Sequence, residues 1–519
     1  MPIRNSSVPV DGLALKYPSL LMPEDLEAAA GPILIELSTD TIGDVERCHS
    51  FVRESLESGR AMYGSTTGFG ALVGHSGRPD PADQTHGLVD FLAAGQGPSL
   101  APQVVRAMLL ARAWTLARGQ SGVSGGALQV LLEVLASPLA LAPVVPEYGS
   151  VGASGDLVPM SHALSALMGR GDMLIDGVRV PAADALRTAG LDQLVLEGRD
   201  GLALVNGTPL TAAAAGLACA QAARSVVAAI TLTGLMTEVL GAGPEYASDS
   251  LAVASGHAGC VAVSGLLRDV LDGCVPSGKR QLQEPYSVRC VPQLVGAAWT
   301  SVRHATTVTI ADLNGVSDNP VFFPEEGEIV HGGNFFGQPV AFAADLLASA
   351  LTQLANLAER QLDLLMDPHR NTGLNPSLSA DPGRQHGLTG VQLSTTSIVV
   401  AMRRAAVPAA FQSLSTNQLN QDVVPFGTQA ALTALAQAER LRWVHGALAV
   451  ALRQAVHLGG RTPASEQGAA LLERLCETVA PIPYDRPLDG DVRRAADLLD
   501  EVAVAHVPSL RESSNTSRS

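Results

Sequence analysis

A chain of 519 residues, 46% of them hydrophobic, has ample material for a large buried core. Its formal charge of −16, with no basic stripe, argues against binding nucleic-acid phosphates. Only 16% of residues are charged and mean hydropathy is positive, which points to surface buried in a thick helical core or between subunits.

In chain order, residues 1–20 are rich in Pro and Ser and read as a flexible N-terminal arm. Met1–Leu15 has no continuous apolar stretch, so it is not a secretory signal, and a cytoplasmic protein is expected. Helical patterns cover Pro102–Arg118, Leu210–Leu240, Val291–Leu313 and Thr428–Leu458. Leu347, Leu351, Leu354, Ala358 and Leu365 place one apolar face on a helix from about Pro339 to Asp367. Strand signals are few and short, as at Gly177–Val180. The apolar stretch Ala127–Val145 is broken by Glu133, Pro138 and Pro143, and Thr211–Leu240 contains Gln221 and Arg224. Both read as buried helices rather than membrane spans. The six cysteines form no CxxC pair and suit a reduced, structural role.

These patterns predict an all-α fold, a long central helical bundle with a smaller, mostly helical N-terminal domain. The expected boundaries are an N-terminal domain over 21–200, the bundle over 201–480, and a C-terminal segment over 481–519 whose tail frays from Arg511.

Glycine-rich breaks separate the helices: Tyr63–Gly70, Tyr148–Gly155, Gly201–Gly207 and His331–Asn334. Each is either ordinary punctuation or a loop whose backbone approaches a ligand. Within the second lies Ala153-Ser154-Gly155. The Gly155 nitrogen can attack the Ala153 carbonyl; loss of water then gives a five-membered ring with the serine side chain as an exocyclic methylidene, an electrophile made of protein. The tripeptide alone is equally a small-residue turn.

Its surroundings decide the matter. Gly149–Leu164 resembles the signature of the aromatic amino-acid ammonia-lyase family: histidine, phenylalanine and tyrosine ammonia-lyases with related aminomutases. Tyr63–Gly70, Gly201–Thr208, Gln283–Cys290, Ser317–Pro320 with Gly332–Phe335, and Asn420–Val423 match in the same order. The resemblance spans about residues 30 to 480.

The resemblance implies a 4-methylidene-imidazol-5-one formed autocatalytically from Ala153, Ser154 and Gly155, with no pyridoxal phosphate and no metal. It implies Tyr63 as the base that removes the β-proton. A free phenol has a pKa near ~10, so a positive or hydrogen-bonded setting must make its phenolate accessible. Arg289 is implied to hold the substrate carboxylate, a task suited to a guanidinium fork. Tyr286 lies three residues before it and shares its face if the segment is helical; its implied place is near the ring. Asn206, Gln283, Asn319 and Asn334 would supply amide hydrogen bonds, though each could instead cap a helix or staple a loop. Phe335 would exclude water and Gln421 would line the pocket. The implied assembly is a homotetramer with each site shared among three chains.

Selectivity falls on Phe91 and Leu92, beside Leu88. The Phe-Leu pair is the one associated with phenylalanine in this family, and an apolar wall penalises a buried tyrosine hydroxyl without a partner. Such a pocket rejects an added hydroxyl only weakly, so tyrosine remains a secondary substrate. Asn417 stands where plant phenylalanine lyases carry Glu, which leaves ammonia release and re-addition at the β-carbon both open. Pyridoxal chemistry would need a lysine, and only Lys16 and Lys279 exist. His75 and His86 are too isolated for a metal centre. A scaffold that has lost its chemistry would show damage at Ser154, Tyr63 or Arg289, and all three are present.

Overall fold

The computed structural model describes residues 13–516, so residues 1–12 of the expected arm and the last three residues lie outside the described residues. Leu13–Lys16, expected within that arm, instead forms a strand, β1, paired in parallel with β2 (Ile33–Glu36). The alternation in β2 buries Ile33 and Ile35, and Leu15 is buried in β1. At the other end, the expected fraying from Arg511 is not seen: a helix runs over Asp489–Thr516, with Ala503 and Leu510 buried along it.

Helices dominate, as the sequence predicts, and the strands are two to four residues long. The expected long helices appear as Pro102–Leu116, Pro209–Leu240, Val291–Leu313, Gln338–Met366 and Gly427–His457. The strand expected at Gly177–Val180 is Val178–Pro181, paired antiparallel with Asp172–Ile175.

The N-terminal helices are α1 (Thr39–Glu57), α2 (Pro81–Leu92), α3 (Pro102–Leu116), α4 (Gly125–Ala136), α5 (Leu157–Leu167), α6 (Ala182–Ala189), α7 (Asp200–Val205) and α8 (Pro209–Leu240). Ser38 caps α1 by accepting the Thr41 N–H at 3.1 Å, and Val45, Cys48 and Val52 form its buried face. Ser124 caps α4 in the same way through Ala127. Helix α3 is buried on all sides from Val104 onward. Its Arg106 survives there because its guanidinium donates to the carbonyls of Ala29, Gly31, Val134, Leu135 and Leu141.

Two compact units emerge, each built from three stretches of chain. One comprises Met1–Leu217, Ala305–Asp345 and Pro408–Leu432; the other comprises Ala218–His304, Leu346–Val407 and Thr433–Ser519. The expected division at 200/201 ran once along the chain, whereas four of these five boundaries fall inside long helices. Gln421, expected with the bundle, belongs to the first unit.

In the second unit, Leu347, Leu351, Leu354, Ala358 and Leu365 are all buried, the face their spacing predicts. Gln361 and Gln437, both buried, donate to the backbone carbonyls of Ser287 and Met402. Asp200–Leu240 and Gln338–Met366 are long and apolar enough to cross a membrane, yet 94% and 61% of their most apolar windows are buried within the protein, as in core helices. The six cysteines form no disulfide, and Cys48, Cys219 and Cys260 are buried.

Candidate active site

The loop that carries Ala153-Ser154-Gly155 is pinned from below. It leaves the short strand Pro146–Tyr148 and enters α5 through Asp156. Asp156 is fully buried, and its carboxylate accepts from the hydroxyls of Ser150, Thr211 and Thr428 and from the Thr211 N–H, at 2.7–3.0 Å. Burial pushes its pKa up, against those four hydrogen bonds. Its own N–H donates to the Gly207 carbonyl at 2.6 Å.

Gly155 has φ +75°, and a Cβ there would fall under 3.0 Å from the backbone of Gly207. The three residues are therefore small, tightly turned and pressed against a second loop, with Ala153 buried and Ser154 half-buried. These features fit the five-membered ring. The Ser154 hydroxyl accepts from Gln421 Nε2 at 2.7 Å, and the Gln421 Oε1 accepts in turn from the Thr416 hydroxyl.

Tyr63 sits on a turn that returns at Gly70, whose N–H donates to the Tyr63 hydroxyl at 2.8 Å. Its ring meets Phe69 edge-on at 6.3 Å, and Phe69 lies 6.1 Å from Phe91 of α2. Gln84 of α2 donates to the Thr67 carbonyl and accepts from the Arg78 N–H, so α2 is tied to the Tyr63 loop. Asn417 packs on Gly70 and accepts from the Ala71 N–H at 3.3 Å. Asn417, Gln418 and Leu419 all have φ between +52° and +65°, an uncommon run for side chains with a Cβ. Burial raises the Tyr63 pKa, and the Gly70 N–H acts in the lowering direction. The hydrogen-bonded half of the expected setting is thus present, but burial outweighs it.

Three of the four amides expected around the ring are engaged with backbone. Asn206, at the end of α7, donates to the Asn319 carbonyl at 2.9 Å. Asn319 Oδ1 accepts from the Gly332 N–H at 2.9 Å, and Asn334 donates to the Val316 carbonyl at 3.4 Å. Beneath them Arg199 forms a two-pronged pair with Asp318 at 2.8 and 3.1 Å, both side chains fully buried.

These elements enclose a cavity of about 950 Å³. Tyr63, Leu88, Phe91, Leu92, Ser154, Gly155, Asn206, Asn319, Phe335, Asn417 and Gln421 line it; Ala153 and Asn334 do not. Leu88 is buried, whereas Phe91 is 58% exposed. Gln283, Tyr286 and Arg289 belong to the second unit and are not among the lining residues. There Tyr286–Arg289 forms one helical turn, so the expected shared face exists, with the guanidinium 4.7 Å from the tyrosine ring centre. Gln283 and Tyr286 are exposed.

The sequence reading missed Thr416, Gln84 and Arg78 as lining residues, and set His75 aside although it lines the cavity. A polar residue every few positions beside a known loop is too common a signal to single these out. Among the described residues no three His, Cys, Asp or Glu gather as a metal site.

Comparison with known proteins places the geometry in context. Residues 21–479 match the model of the family described as aromatic amino acid lyase. The chain is 40% identical over 468 residues to the tyrosine ammonia-lyase of Cereibacter sphaeroides, covering 85% of this chain and 88% of that one. It is 35% identical over 487 residues to the histidine ammonia-lyase of Symbiobacterium thermophilum, covering 92% and 95%. The crystal structure of the tyrosine aminomutase from Streptomyces globisporus superposes with a TM-score of 0.89 at 31% identity, covering 95% of this chain and 98% of that one.

Proposed function

This chain belongs to the aromatic amino acid lyase family and is a carbon–nitrogen lyase; from that premise we propose that it converts L-phenylalanine to trans-cinnamate and ammonia. One observation carries the reading: Ser154, Tyr63 and the apolar residues Phe91 and Leu92 line one cavity.

Ala153, Ser154 and Gly155 would hold the methylidene-imidazolone, which supplies an electrophile that makes the substrate amine a good leaving group. Tyr63 accepts the β-proton at its hydroxyl oxygen, where the Gly70 N–H stabilises the phenolate that must form. Phe91, Leu92 and Leu88 give the substrate ring an apolar wall. Phe335, which lines the cavity, excludes water there. Asn206 and Asn319, held by backbone partners, keep a fixed polar rim instead of a mobile one. Arg289 holds the substrate carboxylate and Tyr286 approaches the ring from other copies of the chain in a homotetramer. The exposure of Tyr286 supports that arrangement.

A second outcome, transfer of ammonia to the β-carbon, is favoured by Asn417. A neutral amide already accepting from Ala71 grips an ammonium less firmly than a carboxylate does.

The test is turnover of L-phenylalanine, L-tyrosine and L-histidine separately, with the unsaturated acid followed by absorbance and β-amino acid by chromatography. Cinnamate as the main product, lost in Ser154→Ala, is the expected result. Dominant coumarate or urocanate would overturn the substrate assignment, and dominant β-phenylalanine would establish the second outcome.

A further inference from the structure

Arg112 lies in the C-terminal half of α3, 1% exposed, in a mostly apolar helix that also buries Arg106. Nothing in the reaction above uses it. Its guanidinium joins two separate stretches of chain. Nη1 donates to the Ser317 carbonyl at 2.8 Å; Nη2 donates to the Asn206 carbonyl at 3.1 Å and to the Ala203 carbonyl. Asp318 sits 3.8 Å away and is itself clamped by Arg199.

The turn that Arg112 grips is the one that presses on the tripeptide. A Cβ built on Gly207 would fall under 3.0 Å from Arg112 Nη1 and from the Ser317 carbonyl, so the guanidinium fills the space directly behind that residue. On its other side Gly207 meets Gly155, close enough that a Cβ on Gly155 would strike the Gly207 N, C and O. The Gly207 carbonyl also receives the Asp156 N–H at 2.6 Å. Arg112, Gly207 and Gly155 thus form one stack, with a rigid cation at its back and the ring-forming nitrogen at its front.

We propose that Arg112 is a positioning residue for ring formation: it braces Gly207 against Gly155 and so holds the Gly155 nitrogen at the Ala153 carbonyl carbon. The inference rests on the assignment of the ring to Ala153, Ser154 and Gly155. In the step it assists, the Gly155 nitrogen bonds to the Ala153 carbon and its proton passes to the carbonyl oxygen. That hydroxyl leaves as water with the Ser154 amide proton, giving the C=N bond. Ser154 then loses its Cα proton and its hydroxyl as a second water, giving the exocyclic C=C. No oxidant or reductant is needed. The brace requires a fork that reaches two chain segments at once, which a lysine ammonium on a flexible stem does not provide.

The experiment compares wild type, Arg112→Lys and Gly207→Ala, each taken as the folded fraction from size exclusion. Mass spectrometry of the peptide bearing Ala153–Gly155 reads ring content as the loss of two waters, and turnover is read alongside. Cyclisation in Arg112→Lys is expected to slow about a hundredfold, the scale of a misplacement of about 1 Å, so that freshly folded protein keeps both waters. Turnover falls in proportion to ring content. Gly207→Ala, with Arg112 intact, gives the same loss because the added methyl displaces the braced turn. Complete loss of two waters in either folded variant, at the wild-type rate, overturns the brace. A wild-type peptide that retains both waters overturns the ring assignment itself, which separates the two failures.

Discussion

Gln421 donates from Nε2 to the Ser154 hydroxyl at 2.7 Å, with its Oε1 held by Thr416. The amide is therefore oriented in the uncyclised chain, its donor end aimed at Ser154. Removing one neutral hydrogen bond costs about 0.5–1.5 kcal/mol, so Gln421→Ala should lower kcat/KM for L-phenylalanine roughly two- to tenfold. Steady-state kinetics check this, and an unchanged value would mean the donor plays no part once the ring exists.

Tyr63→Phe removes the proposed base and is expected to lower kcat by about 10²- to 10⁴-fold. The pH dependence follows from the direction of its shift. Burial raises the phenol above its ordinary value of 10.0, so the basic form is scarce at neutral pH and grows as pH rises. The kcat/KM of the wild type should climb toward alkaline pH, a limb that Tyr63→Phe lacks. A profile that falls from pH 7 to 9 while the protein stays folded would contradict this base.

Phe91 and Leu92 make the substrate wall apolar, and Phe91 touches solvent in the single chain. Phe91→His offers a partner to a tyrosine hydroxyl and disfavours nothing polar. A gained hydrogen bond of about 0.5–1.5 kcal/mol should move the tyrosine-to-phenylalanine ratio of kcat/KM roughly two- to tenfold toward tyrosine. An unmoved ratio would place the substrate ring elsewhere in the cavity.

If Arg289 and Tyr63 of one site come from different copies, two dead variants should rescue each other. Refolding Tyr63→Phe with Arg289→Ala in equal amounts is expected to restore a substantial part of wild-type turnover in mixed tetramers. Recovery no better than either parent would show that each chain completes its own site.

His445, in the second unit, is buried, and burial lowers its pKa from 6.5 to about 3. The folded state therefore holds it neutral, while the unfolded chain takes up a proton below 6.5. Its contribution to stability is present above pH 6.5 and is lost as pH falls toward 3, at about 1.4 kcal/mol per pH unit. His445→Met should flatten that acid loss, seen as a smaller drop in unfolding temperature between pH 7 and pH 5.

How much of this was legible in the sequence depends on the range of the cause. The long helices follow from spacing that each helix carries within itself, as with Leu347, Leu351 and Leu354. Tyr63, Ser154 and Asn206 were legible because each sits in a short motif that resembles a known family. Arg112 was not, since an arginine in a mostly apolar helix says nothing until its carbonyl partners, 91 to 205 residues away in sequence, are known. The strand Leu13–Lys16 escaped for the same reason: four residues become a strand only because Ile33–Glu36 lies beside them. The interleaved units escaped too, because a boundary inside a continuous helix leaves no mark in composition.

The walls of the Ala153–Gly155 loop have an order in time. Phe426 donates its N–H to the Val151 carbonyl, and the Thr428 hydroxyl reaches Asp156 across 272 residues of chain. During synthesis the tripeptide emerges long before these partners exist, and a chain folding from its N-terminus must wait for them. A ribosome stalled before residue 425 would carry every residue of the tripeptide and none of this lid. On the proposed assignment of the ring, self-modification at Ser154 would wait for Phe426 and Thr428, and a truncated product would keep an ordinary serine.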